Sequence, residues 1–310
     1  MTLRLRLKVN STIPIVVQGV LPETVAGLSL DKLAGLEILH GNRQVALDSL
    51  FEIEAEEPSS DKNRTSLDKS PVDAASSGKN LESEQVPELH WLGDLSCVHW
   101  IGAKMGRGKM VISANAGRHL GSQMSGGDIV VHGDAGDFVG CEMTGGSIRV
   151  NGDAADWFGA AYPGSKLGVN RGQLVVTGNV GRGVGMSLRR GTICVGGNAG
   201  PLAGWNMRAG TLIIGGQAGE MLGKGMRRGT ILLSATASGG NGLKLPPTFT
   251  AGGPFQSAAI RTLARWTQEQ EFPVTLSEET RMEIYHGDHL RGGRGEVLVA
   301  AGREQPQFSE

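Results

Sequence analysis

The chain has 310 residues, a formal net charge of -1 and a sequence pI of about 6.7, so it has no general electrostatic attraction for nucleic acid or anionic membranes. It contains no stretch near the roughly 18 consecutive apolar residues of a membrane-spanning helix, and the first twenty residues lack the unbroken apolar core of a signal peptide. The three cysteines are too widely spaced to indicate a disulfide framework or a metal site, and we expect a cytoplasmic protein.

The first 53 residues are predicted to form a small β-rich module. Hydrophobic and polar residues alternate from residue 3 to residue 9, the period of a strand with one buried face. A hairpin is predicted to turn at residues 40–42. Residues 54–88 are polar, acidic and rich in serine, without a hydrophobic period, so we predict a flexible linker there.

Glycine makes up about 16% of the chain, against a usual value of roughly 7%, and the excess follows a period. Glycines that open similar units are spaced by 19, 19, 26, 19, 19 and 19 residues, so one unit carries an insert of seven. These glycines are Gly108, Gly127, Gly146, Gly172, Gly191, Gly210 and Gly229. A fixed period near 20 residues is the signature of a solenoid.

Each unit has the pattern of a short strand, a tight turn and a second glycine. In the second unit Ile129 and Val131 alternate with their neighbours, the turn HGDAG supplies residues that tolerate positive φ, and Gly140 follows. Nineteen residues are too few for a strand and a crossover helix, but they suffice for one β-helix coil. We predict an all-β fold over residues 89–238, a parallel, right-handed β-helix of about seven 19-residue coils.

The glycine-rich sequence at residues 178–185 resembles a dinucleotide-binding loop. Such a loop must be followed by a helix within a βαβ unit, whereas here another strand pattern follows and the same glycines recur in the other units. These glycines are therefore interpreted as structural.

Both ends of a solenoid must be covered, because an open end exposes unpaired strand edges and core. Residues 92–108 read as a degenerate first coil, and residues 239–310 are predicted to form an α+β cap with a frayed tail after Gly302. Within the cap, GEVLVAAG is predicted as the last strand. An amphipathic helix is predicted with these residues on one side: Phe255, Ile260, Leu263 and Trp266.

A search for reactive groups gives weak candidates. His286 and His289 flank Asp288 and could hold a metal ion, but surface turn residues are the simpler interpretation. Asp134 and Asp153 could be the paired carboxylates of a β-helical polysaccharide hydrolase. Their column continues as Asn179, Asn198 and Gln217. That continuation favours a ladder that stabilises turns, so we predict no catalytic, cofactor-binding or metal-binding residue.

Two columns of the repeat are more informative. The middle residue of each strand should point outward, yet six of the seven are apolar. The apolar members are Val111, Val130, Val175, Cys194, Ile213 and Leu232. An apolar surface of this size is typical of an interface with a partner, unless the chain's own cap folds over it.

The second column carries arginine. Its members are Arg189, Arg208 and Arg227, with Arg171, Arg190 and Arg228 at adjacent positions. Guanidinium groups stacked about 5 Å apart repel one another unless acidic groups face them. Either acids from elsewhere in the chain do so, or the arginines form a docking strip for an acidic partner or a polyanionic ligand.

The repeated glycine–hydrophobe–GNAG–glycine–Met pattern resembles the C-terminal β-helix of the glutamate synthase large subunit. More closely, it resembles the β-helical C subunit of formylmethanofuran dehydrogenase and its counterpart in the bacterial formyltransferase/hydrolase complex. The segments LAGLEILHGNRQVALDSLF, LPPTF and YHGDHLRGGRGEVLV lie where that family has comparable segments, and the insert AAYPGSKLGVNRG is more similar to the bacterial complex.

This resemblance implies a non-catalytic scaffold subunit of a complex that moves formyl groups between tetrahydromethanopterin and a methanofuran-type carrier, with release of formate. The implied partners are an amidohydrolase-like subunit and a formyltransferase subunit, plus a molybdenum or tungsten subunit (molybdopterin-type) in the dehydrogenase. The metals, tetrahydromethanopterin and the carrier are expected in those partners, with none bound by this chain. Because such carriers have glutamate-containing tails, the arginine strip is a candidate for facing one.

Three alternatives to the hydrolase-type scaffold stay open. One is that the chain is the β-helical subunit of a molybdenum or tungsten formylmethanofuran dehydrogenase. A stand-alone β-helical hydrolase is the competing enzyme, and a homo-oligomeric structural β-helix is the competing non-enzyme.

Overall fold

The computed structural model describes residues 1–56, 86–234, 244–255, 258–274, 276, 281–300 and 307–308. The predicted linker at residues 54–88 therefore falls largely outside the described residues. The strands of the structure are β1 (Thr2–Leu7), β2 (Ile15–Val16), β3 (Glu37–His40), β4 (Arg43–Ala46), β5 (Phe51–Glu56), β6 (Glu88–Leu92), β7 (Val98–His99), β8 (Lys109–Ile112), β9 (Asp128–Val131), β10 (Ser147–Val150), β11 (Gln173–Val176), β12 (Thr192–Val195), β13 (Thr211–Ile214), β14 (Arg228–Leu233), β15 (Lys244–Leu245), β16 (Thr250–Phe255), β17 (Met282–Gly287), β18 (Arg294–Ala300) and β19 (Gln307–Phe308). Its helices are α1 (Pro22–Val25), α2 (Leu30–Ala34), α3 (Leu47–Leu50) and α4 (Ala258–Glu269), with a 3-10 turn at His289–Arg291.

One sheet of thirteen strands dominates the structure. Its strand order is β16, β17, β18, β14, β13, β12, β11, β10, β9, β8, β6, β1 and β5. Strands β8 to β14 pair in parallel, with Ile129 opposite Ile148 and Ile148 opposite Leu174. The seven-residue insert thus leaves the strand register unchanged. The chain is strand-rich with a large parallel sheet and few helices, the all-β architecture that the repeat predicts.

A second ladder of backbone pairing lies at the turns that follow the strands. Its members, each bridged in parallel to the next, are Leu95, Ala116, Ala135, Ala154, Val180, Ala199 and Ala218. Because the units pair both at their strands and at their turns, equivalent residues form columns. The degenerate first unit takes part, since Leu95 bridges Ala116 and β6 pairs with β8.

Steric constraints explain why the second recurring position of each unit's pattern is glycine. Gly140 has φ +60°, in the left-handed region that favours glycine. A Cβ added there would overlap the Cδ2 methyl group of Leu174, and one at Gly121 would overlap Cδ1 of Ile148. The glycines therefore let the backbone pass against side chains that belong to strands two units further along the chain.

Strands β1 and β5 of the N-terminal residues join the large sheet, whereas β2, β3 and β4 form a separate four-stranded sheet with β7. Strand β1 pairs in parallel with β6 and antiparallel with β5, and the predicted hairpin is confirmed as the antiparallel pair β3 and β4. The rings of Phe51 and Trp91, both fully buried, meet edge to face with centroids 5.3 Å apart. The N-terminal strands thus cover the core at that end of the repeats.

The C-terminal residues continue the same sheet. Strand β18 pairs in parallel with β14, and β17 and β16 follow antiparallel. The predicted helix exists but begins at Ala258, and the placement of Phe255 on it is wrong, because Phe255 pairs with Met282 as the end of β16. The predicted strand β18 is confirmed, yet it is not the last, since β19 pairs with β15. The rest of the predicted frayed tail, after Gly302, lies outside the described residues.

Over the described ranges, no helix combines the length and the apolar character that crossing a membrane requires.

Candidate functional site

The repeat stacks the arginines just before strands β12, β13 and β14. The backbone N–H of Arg189 donates to the Val169 carbonyl at 2.8 Å, and that of Arg208 donates to Leu188 at 2.7 Å. The N–H of Arg227 donates in the same way to Met207 at 2.8 Å. Because each of the three arginines holds the same position in its unit, their side chains lie on the same side of the molecule.

The C-terminal segment brings further arginines to this flank. Arg291 ends the 3-10 turn after β17, and Arg294 opens β18, where it lies opposite Arg228 in register. Seven arginines, together with Ala209 and Gly292, line a pocket of about 540 Å³. We call it the arginine pocket.

Five of the six arginines predicted from the sequence lie in this pocket. They are Arg189, Arg190, Arg208, Arg227 and Arg228. Arg171 does not line it, although Arg171 precedes β11 at the position that Arg190 holds before β12. The repeat did not identify Arg291 and Arg294, because they belong to a segment outside it.

The pocket is strongly cationic. Among the described residues, none of its arginines forms an ion pair, whereas Arg118 pairs with Asp137 at 3.1 Å and Arg182 with Asp156 at 2.9 Å. Arg228 and Arg294 are directly opposite on adjacent strands, an arrangement that destabilises a sheet when the charges are alike. Acids from the described parts of the chain therefore do not neutralise this surface, which is suited to binding an anion.

Asp288 holds the turn that carries Arg291. Its side chain is buried, 3% exposed, and it accepts hydrogen bonds from the backbone N–H groups of Gly225 at 3.0 Å and Leu290 at 2.9 Å. His289 shares a hydrogen bond of 2.9 Å with Thr250. These contacts give Asp288 and His289 structural roles in a turn. Within the described residues, no three His, Cys, Asp or Glu side chains come together as a metal site would require.

The carboxylates of Asp134 and Asp153 belong to a turn-stabilising ladder, which confirms that interpretation of their column. The Oδ1 atom of Asp134 accepts the N–H of Asp153 at 2.8 Å, and that of Asp153 accepts the N–H of Asn179 at 2.6 Å. The ladder runs on through Asn198 to Gln217. A backbone N–H therefore occupies one oxygen atom of each of these two carboxylates.

We expect Asp153→Ala to lower the free energy of unfolding by about 1–2 kcal/mol, because the Asn179 N–H loses a charged acceptor. Asp153→Asn keeps an Oδ1 acceptor, as Asn179 itself does for the next unit, and should be nearly neutral. Urea denaturation of both variants measures the difference. Equal destabilisation by the two substitutions would contradict the ladder.

The apolar column is not an open interface along its length, which corrects that part of the prediction. Four members, Val175, Cys194, Ile213 and Leu232, are buried and pack in one cluster with residues of the C-terminal segment. That segment includes Ile260 and Ala264 of α4 together with Phe272 and Val274. An amphipathic helix such as α4 is stable when its apolar face packs against an apolar surface, and these column residues provide that surface.

The covered part of the column ends at Arg149. The Arg149 guanidinium donates to the carbonyls of Gln270 at 3.2 Å and Glu271 at 3.3 Å, just beyond the C-terminus of α4, where cations are favourable. Val111 and Val130, on the other side of Arg149, are half-buried. These two are the members of the predicted apolar interface that the C-terminal cluster does not include.

A column of aromatic residues was not predicted, although its spacing is visible in the sequence. Trp100, His119, Phe138 and Trp157 follow one another at 19 residues and all have φ between +63° and +66°. The His119 ring stacks on Trp100 at 4.1 Å and on Phe138 at 5.0 Å, and its Nδ1 shares a hydrogen bond of 2.8 Å with Tyr162 of the insert. Burial lowers the pKa of His119, which favours the neutral ring in this stack.

Comparisons with known proteins agree with this architecture. No protein-family model matches the chain. The C subunit of the tungsten-containing formylmethanofuran dehydrogenase 2 of Methanococcus maripaludis is 29% identical over 116 residues, 37% of this chain. The matched region spans about a third of that relative, 33% of its length.

A solved structure matches nearly the whole chain. It is a chain in the crystal structure of the formyltransferase/hydrolase complex (FhcABCD) from Methylorubrum extorquens in complex with methylofuran. The TM-score is 0.77 and the sequence identity 27%, over 96% of this chain and 100% of that chain. In sequence the chain is therefore similar to the C subunit of formylmethanofuran dehydrogenase, and in both sequence and fold it is similar to a chain of the formyltransferase/hydrolase complex.

Proposed function

We propose that the chain is the non-catalytic scaffold subunit of a multi-subunit complex that moves formyl groups between tetrahydromethanopterin and a methanofuran-type carrier, with release of formate. The observation that carries this proposal is the likeness to a chain of the formyltransferase/hydrolase complex over 96% of this chain and 100% of that chain. In this proposal the molecule is a right-handed β-helix of about seven coils. An N-terminal module (residues 1–53) and a C-terminal α+β cap (residues 239–310) close its ends, and residues 54–88 link the module to the repeats.

The structural use of the chain's reactive groups supports a scaffold role. The ladder carboxylates accept backbone N–H groups, which leaves them poorly placed for acid–base chemistry. Burial raises the pKa of Cys141, and it raises that of Cys194 to about 12, whereas a nucleophilic cysteine needs a lowered pKa. We therefore assign the chemistry, the metals and the carriers to partner subunits.

The corresponding subunit of a molybdenum or tungsten formylmethanofuran dehydrogenase is the second candidate, favoured by the 29% identity to the Methanococcus maripaludis protein. The two candidates differ in their partners. An amidohydrolase-like and a formyltransferase subunit are expected in both complexes, while a subunit that holds molybdenum or tungsten is expected in the dehydrogenase alone.

Affinity purification of the tagged full-length chain from its native cells, followed by mass spectrometry, tests both candidates. We expect amidohydrolase-like and formyltransferase subunits to co-purify in a fixed ratio. Molybdenum or tungsten bound in the same particle would select the dehydrogenase. Recovery of the chain alone at full yield, or hydrolysis of a substrate by the isolated chain, would contradict the scaffold role.

A further inference from the structure

We infer that a ridge of aromatic and apolar side chains along one corner of the repeats docks a partner protein that has an apolar groove. The docking role rests on the function proposed above, because it names the surface through which the scaffold would hold a partner subunit. We call this surface the corner ridge. Its members are Trp100, His119, Phe138, Trp157, Met186, Leu202, Trp205 and Met221.

Two positions in each unit form the corner ridge, and their side chains complement each other in size. The first is the position of Trp100, and the second lies three residues after it. Where the first position is aromatic, the second is small and buried, with the members Ala103, Ser122, Cys141 and Ala160. Gly183 at the first position is followed by the half-buried Met186 at the second, and Leu202 is followed by Trp205. Each of the seven units therefore places an aromatic or apolar side chain at this corner.

Backbone strain indicates that these side chains serve more than the repeat. The first position has a positive φ in every unit, and Gly183 fills it once, as the residue that tolerates this conformation best. Leu202 at φ +65° and Met221 at φ +61° keep it with large apolar side chains, although a residue with a Cβ is unfavourable there. Met221 is also 46% exposed, so burial within the chain does not explain it. Strained residues of this kind concentrate at sites of binding or catalysis.

Ring faces in the corner ridge are already used inside the chain. His119 stacks between Trp100 and Phe138 at interplanar angles of 12° and 7°. A Cβ added to Gly183 would overlap the Trp157 ring, so that ring lies directly on the backbone of the next unit. A planar ligand such as a nucleic-acid base, which binds by stacking on ring faces, would therefore meet mainly ring edges. Protein side chains pack readily against such edges.

The charged residues beside the corner ridge are paired with one another. Arg118 pairs with Asp137 at 3.1 Å and Arg182 with Asp156 at 2.9 Å, and each of the four directly precedes a residue at the first position. These pairs leave little net charge to attract a polyanion or a basic surface. An apolar centre with polar neighbours is the usual composition of a protein interface, in which Trp and Met are enriched.

The dimensions of the corner ridge favour a larger partner over a second copy of the chain. Six steps of about 4.8 Å make it about 29 Å long, and positions three residues apart make it at most about 10 Å wide. Two copies that meet ridge to ridge would each bury roughly 300 Å², well below the about 800 Å² per partner of a stable complex. A partner with a groove would cover the ridge and both of its sides, and so reach that area.

Affinity purification of the tagged full-length chain from its native cells, with quantitative mass spectrometry, tests the docking role. Trp205→Asp and Met221→Lys each place a charge on the corner ridge. We expect each to lower the recovery of an amidohydrolase-like or formyltransferase subunit per chain by about tenfold, the effect of a central interface residue. Leu30→Asp is the matched control, because Leu30 is 45% exposed but lies in α2, outside the repeats. It should change recovery less than about twofold.

Met221→Lys keeps the test decisive if Trp205→Asp affects folding, which urea denaturation of the isolated variants measures. Recovery of both subunits at the wild-type ratio with Met221→Lys, or an equal loss with Leu30→Asp, overturns the docking role and leaves the scaffold function standing. A dimer of the isolated chain that Met221→Lys dissociates in light scattering would identify a second copy as the occupant and also overturn it. Recovery of the wild-type chain alone would contradict the scaffold function and the docking role together.

Discussion

Replacing Gly140 by alanine is expected to lower the free energy of unfolding by about 2–5 kcal/mol. Two costs add at this position. A left-handed φ of +60° is unfavourable for any residue with a Cβ, and the new methyl group would overlap the Leu174 side chain, which lies two units further along the chain. Leu174 is fully buried, so the interior has little room in which to relax.

Gly164→Ala is the matched control. Gly164 also has a positive φ, +86°, but lies in the insert with nothing within 4 Å of its Cβ position. It should therefore show the backbone cost alone, about 1–2 kcal/mol. Denaturant unfolding of both variants measures the difference. If Gly140→Ala costs no more than Gly164→Ala, the close approach of the units at Gly140 is not what selects glycine there.

The period of the sequence was sufficient to predict the sheet because every unit repeats the same constraints. Once glycines recur at 19 residues, the strands must pair in register, and the pairing of Ile148 with Leu174 across the insert follows. The same logic predicted the turn ladder, since Asp, Asn or Gln recurs at one position of the turn in successive units. The predicted helix began too early because residues 250–255 pair with β17, a tertiary constraint that local pattern does not contain.

The candidate site could be predicted in part for the same reason. The period places Arg189, Arg208 and Arg227 in one column, but it says nothing of Arg291 and Arg294, which reach the pocket through the non-repeating segment. The period of the sequence also left open which residues cover the apolar column. The clue was Arg149, the single charged member of that column, which lies where the covering segment ends.

Replacing Ile213 by aspartate should detach the C-terminal segment from the sheet and cost about 3–5 kcal/mol, the penalty for a buried charge without a partner. Ile213 is fully buried and packs in the cluster that includes Ile260 and Phe272. Because the new carboxylate would face this cluster rather than the interior of the repeats, the damage should be local. Hydrogen exchange should therefore rise first in α4, residues 258–269, while strands β8 to β10 keep their protection.

Val130→Asp is the control in the same column. Val130 is half-buried, lies opposite Arg149 and is not part of the C-terminal cluster, so a carboxylate there is partly solvated and has a cation beside it. Its cost should stay near the roughly 0.5 kcal/mol of an ordinary surface substitution. If both variants release α4 equally, the helix is held elsewhere. If Ile213→Asp changes neither exchange in α4 nor the free energy of unfolding, the contact between the column and the C-terminal segment is wrong, because a carboxylate that costs nothing must be in contact with water.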